Sequence, residues 1–157
     1  LSGCRLLVVL LALIACGCGS IPLDAAPPAG FDLNGHWVLD SKQKDVPPRR
    51  DGRFLGQDFP LLVSEEMTIE QDARSMGIEY EGGGYRDVTW GERRRGVWEV
   101  RAGWHEGDLH IYSKAPDTSA VEVWHLSDDG EQLDIDIRVK GPRDQSFRRV
   151  FRRSDAI

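Results

Sequence analysis

Residues 133–140 alternate without a break, with Leu133, Ile135, Ile137 and Val139 set against Asp134, Asp136, Arg138 and Lys140. Successive side chains of an extended chain point to opposite faces, so this segment buries its apolar groups only as a strand with one face on a core. A helix would scatter the same residues around its girth. Shorter runs with the same period of two, separated by turn residues, recur from Phe31 onward.

Residues 35–40 form a first short strand, and residues 66–71 place Met67 and Ile69 on one face. Residues 76–80 and 85–90 flank Gly82-Gly83-Gly84, the tip of a hairpin. Residues 96–104 alternate Trp98, Val100 and Ala102, and residues 108–113 put Leu109 and Ile111 together. Two phases compete in residues 120–126: either Val121 and Val123 point inward, or Trp124 and Leu126 do. Residues 147–152 close the domain with Phe147 and Phe151 on a common face. No amphipathic stretch outlasts two helical turns. These runs predict about nine strands with short connections, so sequence neighbours should be hairpin partners. A meander with one apolar face must close on itself or leave long edges open. The expected fold is therefore all-β, an antiparallel up-and-down meander closing into a barrel of about eight or nine strands. A Greek-key β-sandwich is the alternative.

With 157 residues, 40% of them hydrophobic, the chain suits one domain with a full core. Its net charge of −6 disfavours a nucleic-acid partner, which needs a basic surface. The three cysteines, Cys4, Cys16 and Cys18, all precede the folded part. That part therefore has no disulfide, thiolate metal site or cysteine nucleophile.

Arg5 is followed by ten uninterrupted apolar residues, 6–15, too few to span a bilayer and suited to the apolar region of an export signal. Leu13-Ile14-Ala15-Cys16 resembles the bacterial lipoprotein lipobox. The resemblance implies cleavage after Ala15 and acyl chains on Cys16, enough of them to hold a soluble domain on a bilayer. Cys18 lacks the aliphatic residue three positions ahead of it. Gly17, not Asp, follows Cys16, which favours the outer membrane facing the periplasm if the envelope is Gram-negative. Residues 1–15 are thus read as a lipoprotein signal peptide and 16–30 as the lipidated N-terminus with a flexible tether. Residues 31–153 form the β-barrel domain, and 154–157 a tail. Fully extended, residues 17–30 would reach about 45 Å, enough to lift the domain clear of the lipid headgroups.

Leu33-Asn34-Gly35-His36-Trp37-Val38-Leu39-Asp40 resembles the opening L-x-G-x-W-x-L-D of lipocalin-like β-barrel domains of bacterial exported proteins. Trp104-His105-Glu106-Gly107-Asp108-Leu109-His110-Ile111 resembles, in outline, their hairpin with a Gly-Asp turn. Trp124-His125-Leu126-Ser127-Asp128-Asp129-Gly130-Glu131-Gln132-Leu133 is similar to their Ser-Asp-Gly turn between two strands. The order of the three motifs covers nearly all of residues 31–153. The resemblance implies a lipocalin-like fold.

No catalytic constellation emerges. The four histidines, His36, His105, His110 and His125, lack metal-ligand spacing, and His110 and Tyr112 fall opposite Leu109 and Ile111. No nucleophile elbow or phosphate-binding loop occurs, and Asp134 and Asp136 share one solvated face. The chain reads as a non-enzyme without metal or cofactor. Trp37, Trp98, Trp104 and Trp124 are candidates to line a ligand cavity or fill the core, with Trp90 as a fifth tryptophan. Arg93, Arg94 and Arg95 are placed at a hairpin tip, where they would meet an anionic envelope polymer or simply keep the surface soluble. Arg148, Arg149, Arg152 and Arg153 are read along the outer face of the last strand.

Two functions follow. One is a membrane-anchored carrier of a small hydrophobic ligand, with the polar insert 41–60 as a lid. The other is a solid-cored protein that binds an envelope partner, as an inhibitor would.

Overall fold

The computed structural model describes residues 21–42 and 59–154. The expected signal peptide, Cys16, Cys18, most of the polar insert (43–58) and the last three residues lie outside them.

The described residues form ten strands: β1 (Gly35–Leu39), β2 (Glu66–Gln71), β3 (Ser75–Tyr80), β4 (Gly84–Thr89), β5 (Gly91–Arg95), β6 (Trp98–His105), β7 (Asp108–Lys114), β8 (Ser119–Leu126), β9 (Gln132–Lys140) and β10 (Gln145–Ser154). They make a single sheet in the order β4-β3-β2-β1-β10-β9-β8-β7-β6-β5. The sequence predicts about nine; the additional strand is β5, whose GERRR carries no apolar residue. One continuous sheet also removes the sandwich alternative.

All ladders but one join sequence neighbours. The exception is β1, which pairs with β2 on one side and β10 on the other, Trp37 lying opposite both Met67 and Arg153. That pairing ties the start of the meander to its end. In contrast, β4 and β5 are consecutive yet share no ladder. Gly91, at φ +93°, lies directly between Trp90 and the rest of β5, a backbone conformation that a residue with a Cβ rarely adopts. From this corner the two edges part, so the barrel is closed at β1–β10 and open at β4–β5.

The inward phase of each strand follows its apolar residues. In β9, Leu133, Ile135, Ile137 and Val139 are all buried. In β8 the inward set is Ala120, Glu122 and Trp124, which resolves the competing phases in favour of tryptophan. Trp124 lies opposite Ile135 across the hairpin.

Both ends of the barrel are plugged. At the end where β1 begins, Leu33 is fully buried, and its carbonyl accepts the Trp37 indole N–H at 2.8 Å. Arg153 closes the same end, donating to the carbonyls of Gly130, Asp32 and Asn34 while its guanidinium lies 4.4 Å over the Trp37 ring. At the other end a short 3-10 turn, Pro60–Leu62, buries Leu61 and Leu62. Here the tail of the insert is apolar, unlike the polar stretch before it.

The segment ahead of the barrel is docked where it is described. Asp24 forms an antiparallel bridge with Trp104, its N–H donating at 2.8 Å and its carbonyl accepting at 2.9 Å. Arg101 donates to the Ile21 carbonyl at 3.2 Å. The contact depends on Gly103, since a Cβ there would fall 2.5 Å from the Asp24 carbonyl oxygen.

Candidate functional site: the cleft between β4 and β5

The missing ladder leaves a cavity of about 430 Å³. Tyr85, Arg86, Asp87 and Val88 of β4 line one side, and Arg95, Gly96, Val97 and Trp98 around the β5–β6 turn line the other. Phe59 and Pro60 close the top, and the inward residues Val100 and Ser113 form the deeper wall. The ring of Phe59 meets that of Trp98 edge-on at 5.4 Å. Toward the Gly91 corner, Arg93 bridges the open edge, donating to Asp87 Oδ2 at 3.0 Å and Thr89 Oγ1 at 2.7 Å. A side-chain latch thus stands where backbone hydrogen bonds are absent.

Polar groups inside the barrel cluster next to this cleft. Arg86 points inward and donates two N–H groups to Glu122 on the facing wall, at 2.9 and 2.8 Å. The Glu122 side chain is 1% exposed, and it also accepts the Trp124 indole N–H at 3.1 Å. Burial opposes charge on Arg86, but Glu122 and then Tyr80 outweigh it and hold the guanidinium protonated. Burial pushes the Tyr80 phenol up to about 12, against the pull of nearby Arg86. The Tyr80 hydroxyl is buried and faces the Arg86 guanidinium. Arg149, also inward and buried, is turned away from the cleft, and it donates to the carbonyls of Leu62 at 3.0 Å and of Ser64. Burial lowers its pKa, with Glu65 opposing.

The sequence candidates separate. Trp37, Trp104 and Trp124 are buried toward the end where β1 begins, with Trp90, whose ring meets Trp104 at 4.5 Å. Trp98 alone of the five lines the cleft. Arg93, Arg94 and Arg95 do not sit at a hairpin tip: they belong to β5, and the tip is Gly96-Val97. Their side chains diverge. Arg93 latches to β4, Arg95 borders the cleft, and Arg94 lies with Glu92, Glu99, Arg101 and Lys114 around an outer concavity of about 640 Å³. Arg149 likewise departs from the outer-face reading, because it shares its phase with Phe147 and Phe151. That parity was the available signal, and the same holds for Glu122 beside Ala120 and Trp124. Arg86 offered none beyond its place two residues before Val88. Among the described residues no three His, Cys, Asp or Glu side chains gather to hold a metal ion.

No protein-family model matches this sequence, and no curated protein matches it. Solved structures do match. The REP1-NXSQ fatty acid transporter superposes with a TM-score of 0.58 at 14% identity, over 80% of this chain and 98% of that one. Fatty-acid-binding protein 1 of Echinococcus granulosus gives 0.54 at 12% identity, over 77% and 96%. Human cRBP IV gives 0.53 at 19% identity, over 79% and 99%. The fold is that of the lipocalin and fatty-acid-binding-protein barrels. At these identities the likeness is one of architecture, and the neighbours named are binding proteins rather than enzymes.

Proposed function

We propose that this protein is a carrier that holds a small apolar molecule inside its barrel and exchanges it through the β4–β5 cleft. The observation that carries the reading is the cleft itself: a ladder is missing at one place in the sheet, and the cavity there reaches inward residues. Its volume falls in the range of small-molecule sites, and its wall mixes apolar side chains with a few convergent polar groups. The barrel would be held in the cell envelope by acyl chains on Cys16, at the outer membrane of a Gram-negative cell, facing the periplasm.

Native mass spectrometry of the purified protein, without detergent, tests this reading together with titration of the neutral fluorophore 1-N-phenylnaphthylamine. A retained lipid mass or saturable fluorescence enhancement is expected. A clean apo mass with no enhancement would overturn the carrier. One observation favours the second reading, of an envelope interaction protein: Arg93, Arg94, Arg101 and Lys114 outnumber Glu92 and Glu99 around the outer concavity. Under that reading an anionic envelope polymer would bind the apo protein, and reversing Arg94 and Lys114 to Glu would abolish binding.

A further inference from the structure

The open seam carries its charges in a simple order. On β5, Arg93 and Arg95 share one phase, opposite Val100 and Trp98 of β6. Arg93 reaches across the seam to Asp87 and Thr89 of β4. Arg95, two residues nearer the hairpin tip, borders the cleft and is exposed, and no hydrogen-bond or ion-pair partner meets it among the described residues. The next β4 residue in phase with Thr89 and Asp87 is Tyr85, which offers no carboxylate. The other two charges lining the cleft are compensated, Asp87 by Arg93 and Arg86 by Glu122. Arg95 is thus the uncompensated charge of the cleft, and it stands at the mouth.

The rim around it is apolar. Tyr85 and Val97, on opposite lips, are 62% and 64% exposed. Trp98, the cross-strand neighbour of Arg95, meets Phe59 edge-on, and Val88 and Val100 continue the apolar wall inward. A hydrocarbon chain gains by entering past these side chains. An anionic head gains by staying at the mouth, where Arg95 can donate to it while water still reaches its other oxygens. The volume, about 430 Å³, lies toward the lower end of small-molecule sites and suits one chain.

We infer that the cleft takes a single-chain amphiphile tail first and holds its anionic head, a carboxylate or a phosphate ester, at the mouth on Arg95. This rests on the carrier reading above and narrows its ligand class. Arg95 is a specificity-determining residue here: it meets the head, while the apolar wall takes the chain.

The test displaces 1-N-phenylnaphthylamine from the full chain with dodecyl phosphate, laurate, dodecanol and inorganic phosphate, at a pH where laurate is ionised. Comparing each competitor between wild type and Arg95→Gln removes their differences in hydrophobicity. Dodecyl phosphate and laurate should each weaken roughly fivefold in the variant, the scale of one charged contact near water, and dodecanol should not change. Added salt should narrow that gap. Arg138→Gln, the same charge change on the exposed face of β9, should leave every competitor as in wild type. A loss confined to one of the two anions keeps the inference and fixes the head as that oxyanion. Anions equally potent in wild type and Arg95→Gln overturn it, as does a loss that dodecanol or Arg138→Gln shares. Displacement by inorganic phosphate overturns it as well, since such a site needs no tail. In the dodecyl phosphate complex, the phosphorus resonance should stay open to relaxation by a soluble neutral nitroxide; a shielded resonance would put the head inside and overturn the orientation. Each of these failures leaves the carrier intact. Failure of the probe to bind at all removes the carrier reading, and this inference with it.

Discussion

Tyr80 is a buried phenol with an acid constant pushed up to about 12 by burial. The ordinary value is about 10, so above that pH the unfolded chain releases this proton first. Stability should therefore fall as pH rises from about 10 toward 12, and Tyr80→Phe should remove that part of the fall. A spectrophotometric titration checks it: one of the three tyrosines should ionise last, together with unfolding. Arg86→Met is expected to do more harm. It strands the Glu122 carboxylate among apolar groups, a loss of about 3–5 kcal/mol measurable by denaturant titration. These polar residues were hard to see in advance for a physical reason. A period-two reading treats a charge as outward unless a partner is visible, and Arg86 and Glu122 lie on strands far apart in the sequence. Only folding brings them together. By contrast, the pairing of residues 120–126 with residues 133–139 was legible, because a short turn joins the two as a hairpin.

Strands were legible where they carry an apolar face. β9 is the clearest case, and its two faces predict opposite outcomes. Ile135→Asp buries an unpaired carboxylate in place of a fully buried side chain, and the domain should fail to fold. Asp136→Asn, on the exposed face, should shift stability by no more than about 0.5 kcal/mol. Thermal melts of the two variants compare them directly. β5 was illegible for the converse reason. Nothing in GERRR calls for burial; the segment is a strand because β6 offers it a row of hydrogen-bonding groups, and its arginines keep the edge from pairing with other chains. The latch from Arg93 to Asp87 is largely exposed, and such pairs contribute about 1 kcal/mol or less. Arg93→Ala should therefore leave the melt nearly unchanged yet speed release of bound fluorophore in stopped-flow mixing. An unchanged release rate would place the exchange route elsewhere.

For the molecule as a whole, the meander and its closure follow from short connections, whereas the open seam does not. No residue pattern says which pair of consecutive strands will part. Attachment to the membrane remains a proposal with its own test. Cys16→Ala should move the protein from the membrane pellet to the soluble exported fraction, whereas Cys18→Ala should not. Docking of the leading segment is tested separately. Gly103→Val should push Asp24 off the β6 edge and leave the barrel folded, seen as faster hydrogen exchange at the Trp104 amide, which bonds to Asp24.

The bridge from Asp24 to Trp104 also changes how far the barrel can roam. With a lipid on Cys16 and the Ile21 carbonyl held by Arg101, only residues 17–21 remain as leash, about 17 Å when fully extended. The full spacer would have allowed roughly 45 Å. Arg101 lies on β6, whose first residue, Trp98, borders the cleft. On the lipoprotein proposal, a barrel moored on so short a line would not tumble freely above the bilayer. It would drift in two dimensions, so cargo would travel only a short path between leaflet and barrel instead of crossing open water.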